Sequence, residues 1–212
     1  MLIHATSSDV NKATKWAKKV HAHYKRRGNE TFMAAQKYNS AARRTLSKIA
    51  ECAICRTLDS KAAFPVGRSD GGIDVRFEMR GLSYSADVKS TTIRDPEHLL
   101  VSPHCVRGGL ADFLIFCRVG FSEKTDVDVV GFITKDQFTQ HKRIAGPVNR
   151  YVKGTQYVPV RLLTPFSVLL MSTRKCYVCG HYEAPYGSTN DRWFCREHYK
   201  ARGIGVGAGV LQ

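Results

Sequence analysis

Asp74, Asp87 and Lys89 stand in the stretch GGIDVRFEMRGLSYSADVKST, residues 71 to 91, where charged side chains interrupt two short runs of alternating apolar residues. With Arg80-Gly81 as a two-residue turn, Met79 faces Leu82, Phe77 faces Tyr84 and Val75 faces Ala86, which makes one apolar face. The other face sets Arg76 against Ser85, Glu78 against Ser83 and Asp74 against Asp87, with Cβ atoms roughly 5 Å apart. Lys89 lies two residues on from Asp87 and shares that face, whereas Val88 points with the core side chains.

Like charges directly opposite in a sheet are destabilising, and half-buried carboxylates at that separation share a proton or recruit a cation. Oxygen ligands suit Mg²⁺ or Mn²⁺ rather than zinc. Asp74, Asp87 and the backbone carbonyl of Val88 would leave positions open for a phosphate and a water. Lys89 would then stabilise charge on the phosphate, or orient or deprotonate the water, helped by the lower pKa an adjacent metal imposes. The bland alternative is an exposed hairpin face with ordinary charges, and a register slip of one residue would carry Asp74 to the other face. Glu51 adds a third acid. In SKIAECAICRTL it shares a helical stripe with Ile54 and Leu58, which sets it at the core margin, where an unpartnered charge is costly. A shared metal site would supply the partner; a salt bridge to an arginine is the other solution.

The elements that must position these groups are legible in outline. Residues 8 to 58 read as helix broken near Gly28-Asn29, because Val10, Ala13, Ala17 and Val20, and then Tyr38, Ala41, Ala42, Leu46, Ile49, Ala50 and Ala53, recur at helical spacing. A glycine-rich loop, DSKAAFPVGRSDGG, leads to the hairpin. TTIRDPEHLLVSPHCVRGG suggests a short helix or turn and then loop. ADFLIFCRV, 111 to 119, and DVDVVGFI, 126 to 133, read as strands at the sheet centre, the first buried on both faces. Thr134 opens a helix, with Gln137 completing a capping box before Phe138. YVKGTQYVPVRLLTPFSVLL supplies edge-strand and closing elements, its prolines forbidding a central position. The order helix, hairpin, strand, strand, helix describes an α/β core with a mixed sheet.

Taken together, Glu51 on a helix, a loop into DGGIDV, a hairpin and DVKST resemble the PD-(D/E)xK nuclease superfamily over roughly residues 45 to 140, including ADFLIFC and GFITKDQF. The resemblance implies a restriction-endonuclease-like fold: a mixed β-sheet core flanked by helices. In it Asp74 matches the first motif acid, Asp87 and Lys89 the D-x-K, and Glu51 the helix carboxylate that many members add. No proline precedes Asp74, and Asp70 is a second candidate for the first acid. The implied activity is divalent-metal-dependent hydrolysis of DNA phosphodiesters, in restriction, junction resolution or phage-type degradation, with Ser90, Thr91 and Arg94 either touching phosphates or serving as turn residues. Relatives often act as dimers, so a homodimer is expected as one option.

Near the C-terminus, CYVCG and CREH place Cys176, Cys179, Cys195 and His198 at the spacing of a closed tetrahedral zinc site, with His181 in reserve. Gly180 after the second cysteine permits the tight knuckle such sites need. Four protein ligands indicate structural zinc, stapling a segment with little core of its own. Disulfides are disfavoured by the intracellular setting expected below, and an iron–sulfur cluster, which some members of the superfamily carry, by the pairing of Cys195 with His198. Cys52, Cys55, Cys105 and Cys117 read as small core residues. The expected division is thus 1–44, a basic helical segment; 45–170, the nuclease core; 171–202, the zinc module; and 203–212, a flexible tail.

Composition fits this reading. The 212 residues, 43% of them apolar, suffice for a full core, and no run of 18 apolar residues exists to cross a bilayer. MLIHATSSDV lacks the order of a signal peptide, so an intracellular location is expected, in the host cytoplasm if the chain is phage-encoded. Of the net charge of +15, residues 1 to 50 carry +9, from 11 Lys/Arg against 2 acids. Such a field attracts polyanions, and DNA is favoured over an anionic membrane because WAKKVHAHYKRR has one weak apolar stripe and no Trp/Phe/Leu cluster for insertion. The rivals are a catalytically silent nucleic-acid-binding protein on the same scaffold and a zinc-centred protein adaptor.

Overall fold

The computed structural model describes residues 1–26, 41–66, 72–120, 125–145, 154–175, 178–180, 186–187, 193–194 and 196–200. The described chain is mixed α/β. Strand β1 (Leu2–His4) precedes helices α1 (Ser7–Arg26) and α2 (Ala41–Thr57). The hairpin β2 (Val75–Met79) and β3 (Leu82–Thr91) follows, then β4 (His98–Val101), α3 (Pro103–Arg107), β5 (Phe113–Val119), β6 (Asp126–Thr134) and α4 (Lys135–His141). Short strands β7 (Arg143–Ile144) and β8 (Gln156–Pro159), a 3₁₀ turn (Val160–Leu162) and α5 (Phe166–Thr173) complete the main body. Beyond it lie β9 (Tyr186–Gly187), β10 (Trp193–Phe194) and α6 (Arg196–Lys200).

A five-stranded mixed sheet runs in the order β1-β6-β5-β3-β2, with β3 and β5 parallel and the other pairs antiparallel. The parallel pair is fixed at its start by Asp112, whose carboxylate accepts from the Ser85 amide at 2.8 Å and the Ser85 hydroxyl at 2.7 Å. Those two donors hold the Asp112 carboxyl below the usual carboxylate range. Alternate residues of β5 enter different cores, as expected of a strand buried on both faces. Phe113, Ile115 and Cys117 meet Ala13 of α1, Ile49, Ala53 and Ile54 of α2, and Phe166 and Leu169 of α5. Leu114 and Phe116 meet Ile133, Phe138 of α4, and Leu99 and Val158 of a second sheet ordered β4-β8-β7.

The hairpin register is the expected one, from Val75↔Ala86 to Met79↔Leu82. Arg80 and Gly81 have φ of 51° and 80°, the pair of positive values that a two-residue turn of this twist requires. Thr134 caps α4 with the reciprocal bonds to Gln137, and Thr6 caps α1, its hydroxyl accepting from the Asp9 amide while the Asp9 carboxylate accepts from the Thr6 amide. The division expected at 44/45 falls inside α2.

Two expectations are corrected. The segment after the hairpin holds a strand, β4, as well as the short helix α3. Gln156–Pro159 is the middle strand of its sheet, not an edge. It tolerates Pro159 because β7 pairs only with Tyr157 and Gln156, so the missing N–H falls beyond that ladder. β1, which pairs with β6, had no sequence signal: three residues are too few for a period.

Between Phe116↔Gly131 and Cys117↔Val129 the register shifts, leaving Val130 as an extra residue. Beside this bulge Gly131 lies so close to the 164 region that an added Cβ would come within 2.7 Å of the Thr164 carbonyl. Gly131→Ala is therefore expected to destabilise the protein by about 1–3 kcal/mol. Arg80→Asn, which suits positive φ, is expected to stabilise it by a few tenths of a kcal/mol to about 1 kcal/mol. Urea denaturation of the two variants checks both.

Candidate functional site

β3 delivers Asp87 and Lys89 to the sheet face opposite Ala86 and Val88, which enter the main core. In the parallel register Asp87 neighbours Leu114 and Lys89 neighbours Phe116. Asp87 is buried, and its carboxylate lies 2.7 Å from the Lys89 ammonium. Asp74 sits just before β2. The last backbone bond of the hairpin is from the Asp74 amide to the Ala86 carbonyl at 2.9 Å, and beyond it the Asp74 carboxylate, rather than a further backbone carbonyl, accepts from the Val88 amide at 2.8 Å. That side-chain bond turns Asp74 toward Asp87, and the two carboxyls share a hydrogen bond.

α2 brings the third acid. Ser47, Glu51 and Cys55 recur every four residues and so share one stripe. Ser47 shares a 2.8 Å hydroxyl bond with Ser90 at one end, and the Cys55 thiol donates to the Asp74 carbonyl at 3.8 Å at the other. Glu51, between them, is buried and close enough to act on Asp74 electrostatically. Burial foremost, then the negative charges of Glu51 and Asp87, push the Asp74 carboxyl up to about 9 against the opposing Val88 bond. Burial lowers the pKa of Lys89, but the Asp87 carboxylate, joined by Cys105 and Asp74, carries it above the ordinary lysine value. Lys89 is thus an ammonium here.

Two further residues complete the surroundings. Lys48 is the partner of Glu51, from one turn earlier on the same helix. It is 2% exposed, and it is a lysine, not the expected arginine, that answers the Glu51 charge. A lysine three residues before a glutamate is too common on helices to mark a buried pair. Cys105, expected in the core, is half-buried and accepts from the Lys89 ammonium at 3.5 Å and from the Ser102 hydroxyl at 3.2 Å. Cys52, Cys55 and Cys117 are buried as expected, and burial pushes the first two thiols up to about 11 and about 12. A cleft of about 450 Å³ opens beside Lys89, lined by Ser90, Thr91, Ile93, His98, Leu100 and Phe116 among others.

Among the described residues no group of three or more His, Cys, Asp or Glu side chains is disposed to hold a metal ion. Two carboxyls, Asp74 and Asp87, are in hydrogen-bond contact, and the third, Glu51, is drawn to Lys48. The donor set still fits a hard divalent cation: oxygen atoms only, and a carboxyl that burial and its acidic neighbours drive to keep a proton which a cation would replace. Of the zinc ligands read from the sequence, Cys176 and Cys195 lie outside the described residues, as do Asp70, His181 and the tail from 203. Cys179 is exposed, His198 is half-buried, and Gly180 has a φ of 70°, the left-handed conformation a knuckle needs there.

Without metal, Asp74 has a folded-state pKa near 9 against an unfolded value of 3.8, so the folded state holds the proton more tightly. Its contribution to stability is full below pH 4 and is lost as pH rises toward 9. In EDTA, urea midpoints are expected to fall across that window in the native protein and to fall less in Asp74→Asn. Compared with models of protein families, with curated proteins and with solved structures, the chain finds no match.

Proposed function

We propose that the protein is a divalent-metal-dependent DNA endonuclease built on a PD-(D/E)xK-like core. The observation that carries this reading is the pairing of two buried carboxyls, Asp74 and Asp87, beside the Lys89 ammonium, with the charge of Glu51 added from α2. So much negative charge at a sheet edge is costly unless a cation joins it. Asp74, Asp87 and the Val88 carbonyl would hold Mg²⁺ or Mn²⁺, with the Glu51 carboxylate, held by Lys48, adding its negative charge nearby. The ion, when bound, polarises a phosphodiester and acidifies a water. Lys89, fixed by Asp87, presents an ammonium to the phosphate or the attacking water, and Ser90, Thr91 and Arg94 lie just past it along the chain.

The charge distribution supports DNA as partner. Ala13, Ala17 and Val20 bury one side of α1, which leaves Lys12, Lys15, Lys18 and Lys19 exposed. A duplex gripped by such a face releases counterions, so retention falls steeply with salt. No helix among the described residues is long and apolar enough to cross a membrane. A structural Zn²⁺ on Cys176, Cys179, Cys195 and His198 would staple the C-terminal segment, a reading that rests on spacing alone. Dimerisation is proposed only as a way to cut both strands.

The rival reading, a silent DNA-binding scaffold, draws on the two ammoniums that already pair with Glu51 and Asp87. Incubation with supercoiled and branched DNA in Mg²⁺, Mn²⁺ or EDTA separates the two. Nicking is expected with either metal and not with EDTA, and a loss of about 100-fold or more in Lys89→Ala. Salt-sensitive binding with no cleavage in any metal would establish the scaffold instead.

A further inference from the structure

Lys48 is the most deeply enclosed cation among the described residues. Its ammonium contacts the Glu51 carboxylate and donates to the Ala63 carbonyl at 3.1 Å. It stands 4.6 Å from the centre of the Trp16 ring and 5.7 Å from that of Phe64. Trp16 is itself fixed, its indole N–H donating to the Pro65 carbonyl at 2.7 Å. Three segments therefore cage the charge: α1, the 63–65 stretch and its own helix. A charge so enclosed stays only where its partner stays, because separating the pair would leave two buried ions uncompensated.

This cage bears on how many metal ions the acidic cluster can take. The cluster contains three carboxyls, Glu51, Asp74 and Asp87, and two ammoniums, Lys48 and Lys89. One divalent ion on ionised carboxylates leaves a single surplus positive charge, which a phosphodiester monoanion cancels. A second ion would leave a surplus of three in a largely buried site, and a single phosphate could not offset it. Geometry agrees with charge, since Glu51 is pulled to Lys48 and the three acids form no ready cage among the described residues.

We propose that Lys48 is a built-in counter-cation that withholds Glu51 from direct ligation, so that the site binds one divalent ion, on Asp74 and Asp87. The inference rests on the metal-dependent reading above and deepens it by fixing the stoichiometry. Glu51 becomes a positioning group whose carboxylate, fixed by Lys48, accepts from water rather than from metal.

Mn²⁺ titration of the full chain, followed by calorimetry and by the paramagnetic resonance of free Mn²⁺, tests this in the absence of DNA, with Zn²⁺ supplied to the C-terminal cysteines. The native protein is expected to bind one Mn²⁺, and the double variant Lys48→Met/Glu51→Gln, which removes both charges of the pair, to bind one with affinity changed by less than about threefold. Asp74→Asn is expected to lose binding by about tenfold or more. Lys48→Met, which removes the charge while keeping bulk, is expected to bind Mn²⁺ at least about tenfold more tightly or to gain a second ion, and Lys48→Arg to behave as native. Should Lys48→Met fail to fold by circular dichroism, the native count and the double variant decide the matter. Two ions in the native protein, or loss of binding in the double variant, would overturn the inference while leaving the nuclease reading in place. No Mn²⁺ binding by the native protein would overturn both.

Discussion

Charge confined at the end of a hairpin is the constraint around which this molecule is arranged. Asp74, Asp87 and Glu51 would each be soluble, inexpensive surface acids elsewhere; here burial and mutual repulsion raise the Asp74 carboxyl to about 9. The surrounding structure accepts that cost and distributes it. Lys89 is held against Asp87, Lys48 against Glu51, and the Val88 amide against Asp74. With all three acids ionised the carboxylates would outnumber the two ammoniums by one, and the proton that Asp74 keeps makes up the difference.

The scaffold accounts for how these groups are held still. β3 lies second from the sheet edge, between β2 and the doubly buried β5, so its backbone is fixed on both sides where Asp87 and Lys89 project. α2 is attached to that strand at Ser47–Ser90 and to the start of the hairpin at Cys55–Asp74, and Glu51 lies midway between the two bonds. α1 packs over α2 with small residues, Ala13 and Ala17, which lets Trp16 and Lys48 meet beneath. Arg56 extends the attachment, reaching the Asp9 carboxylate and the His4 carbonyl. Lys12, Lys15, Lys18 and Lys19 are thus turned to solvent along α1, whereas Lys48 is committed to the interior.

Much of this was readable from the sequence where local rules dominate. A two-residue turn fixes register by parity, so Arg80-Gly81 sufficed to set Asp74 and Asp87 at the same end of the hairpin. The doubly apolar run at 113–119 and the Thr134–Gln137 box were equally local signals. What escaped was long-range or one-sided. Lys48 is buried only because Trp16 and Phe64, far away in sequence, close over it. Cys105 meets Lys89 because the 98–107 region folds back along β3, and a single cysteine among prolines and glycines carries no period to reveal that. The central placement of β8 depended on how short its partner β7 is, a property of a neighbouring segment rather than of the strand itself.

The side-chain bond from Asp74 to the Val88 amide also bears on how the molecule avoids its own kind. β2 is an outer strand, and where its ladder ends the next inward strand would otherwise offer an unpaired amide to any extended chain that drifted by. A carboxyl oxygen seated on that amide stoppers the opening, so no incoming strand can pair there. The acid at the centre of the buried charged cluster therefore also closes the sheet against edgewise stacking at this point.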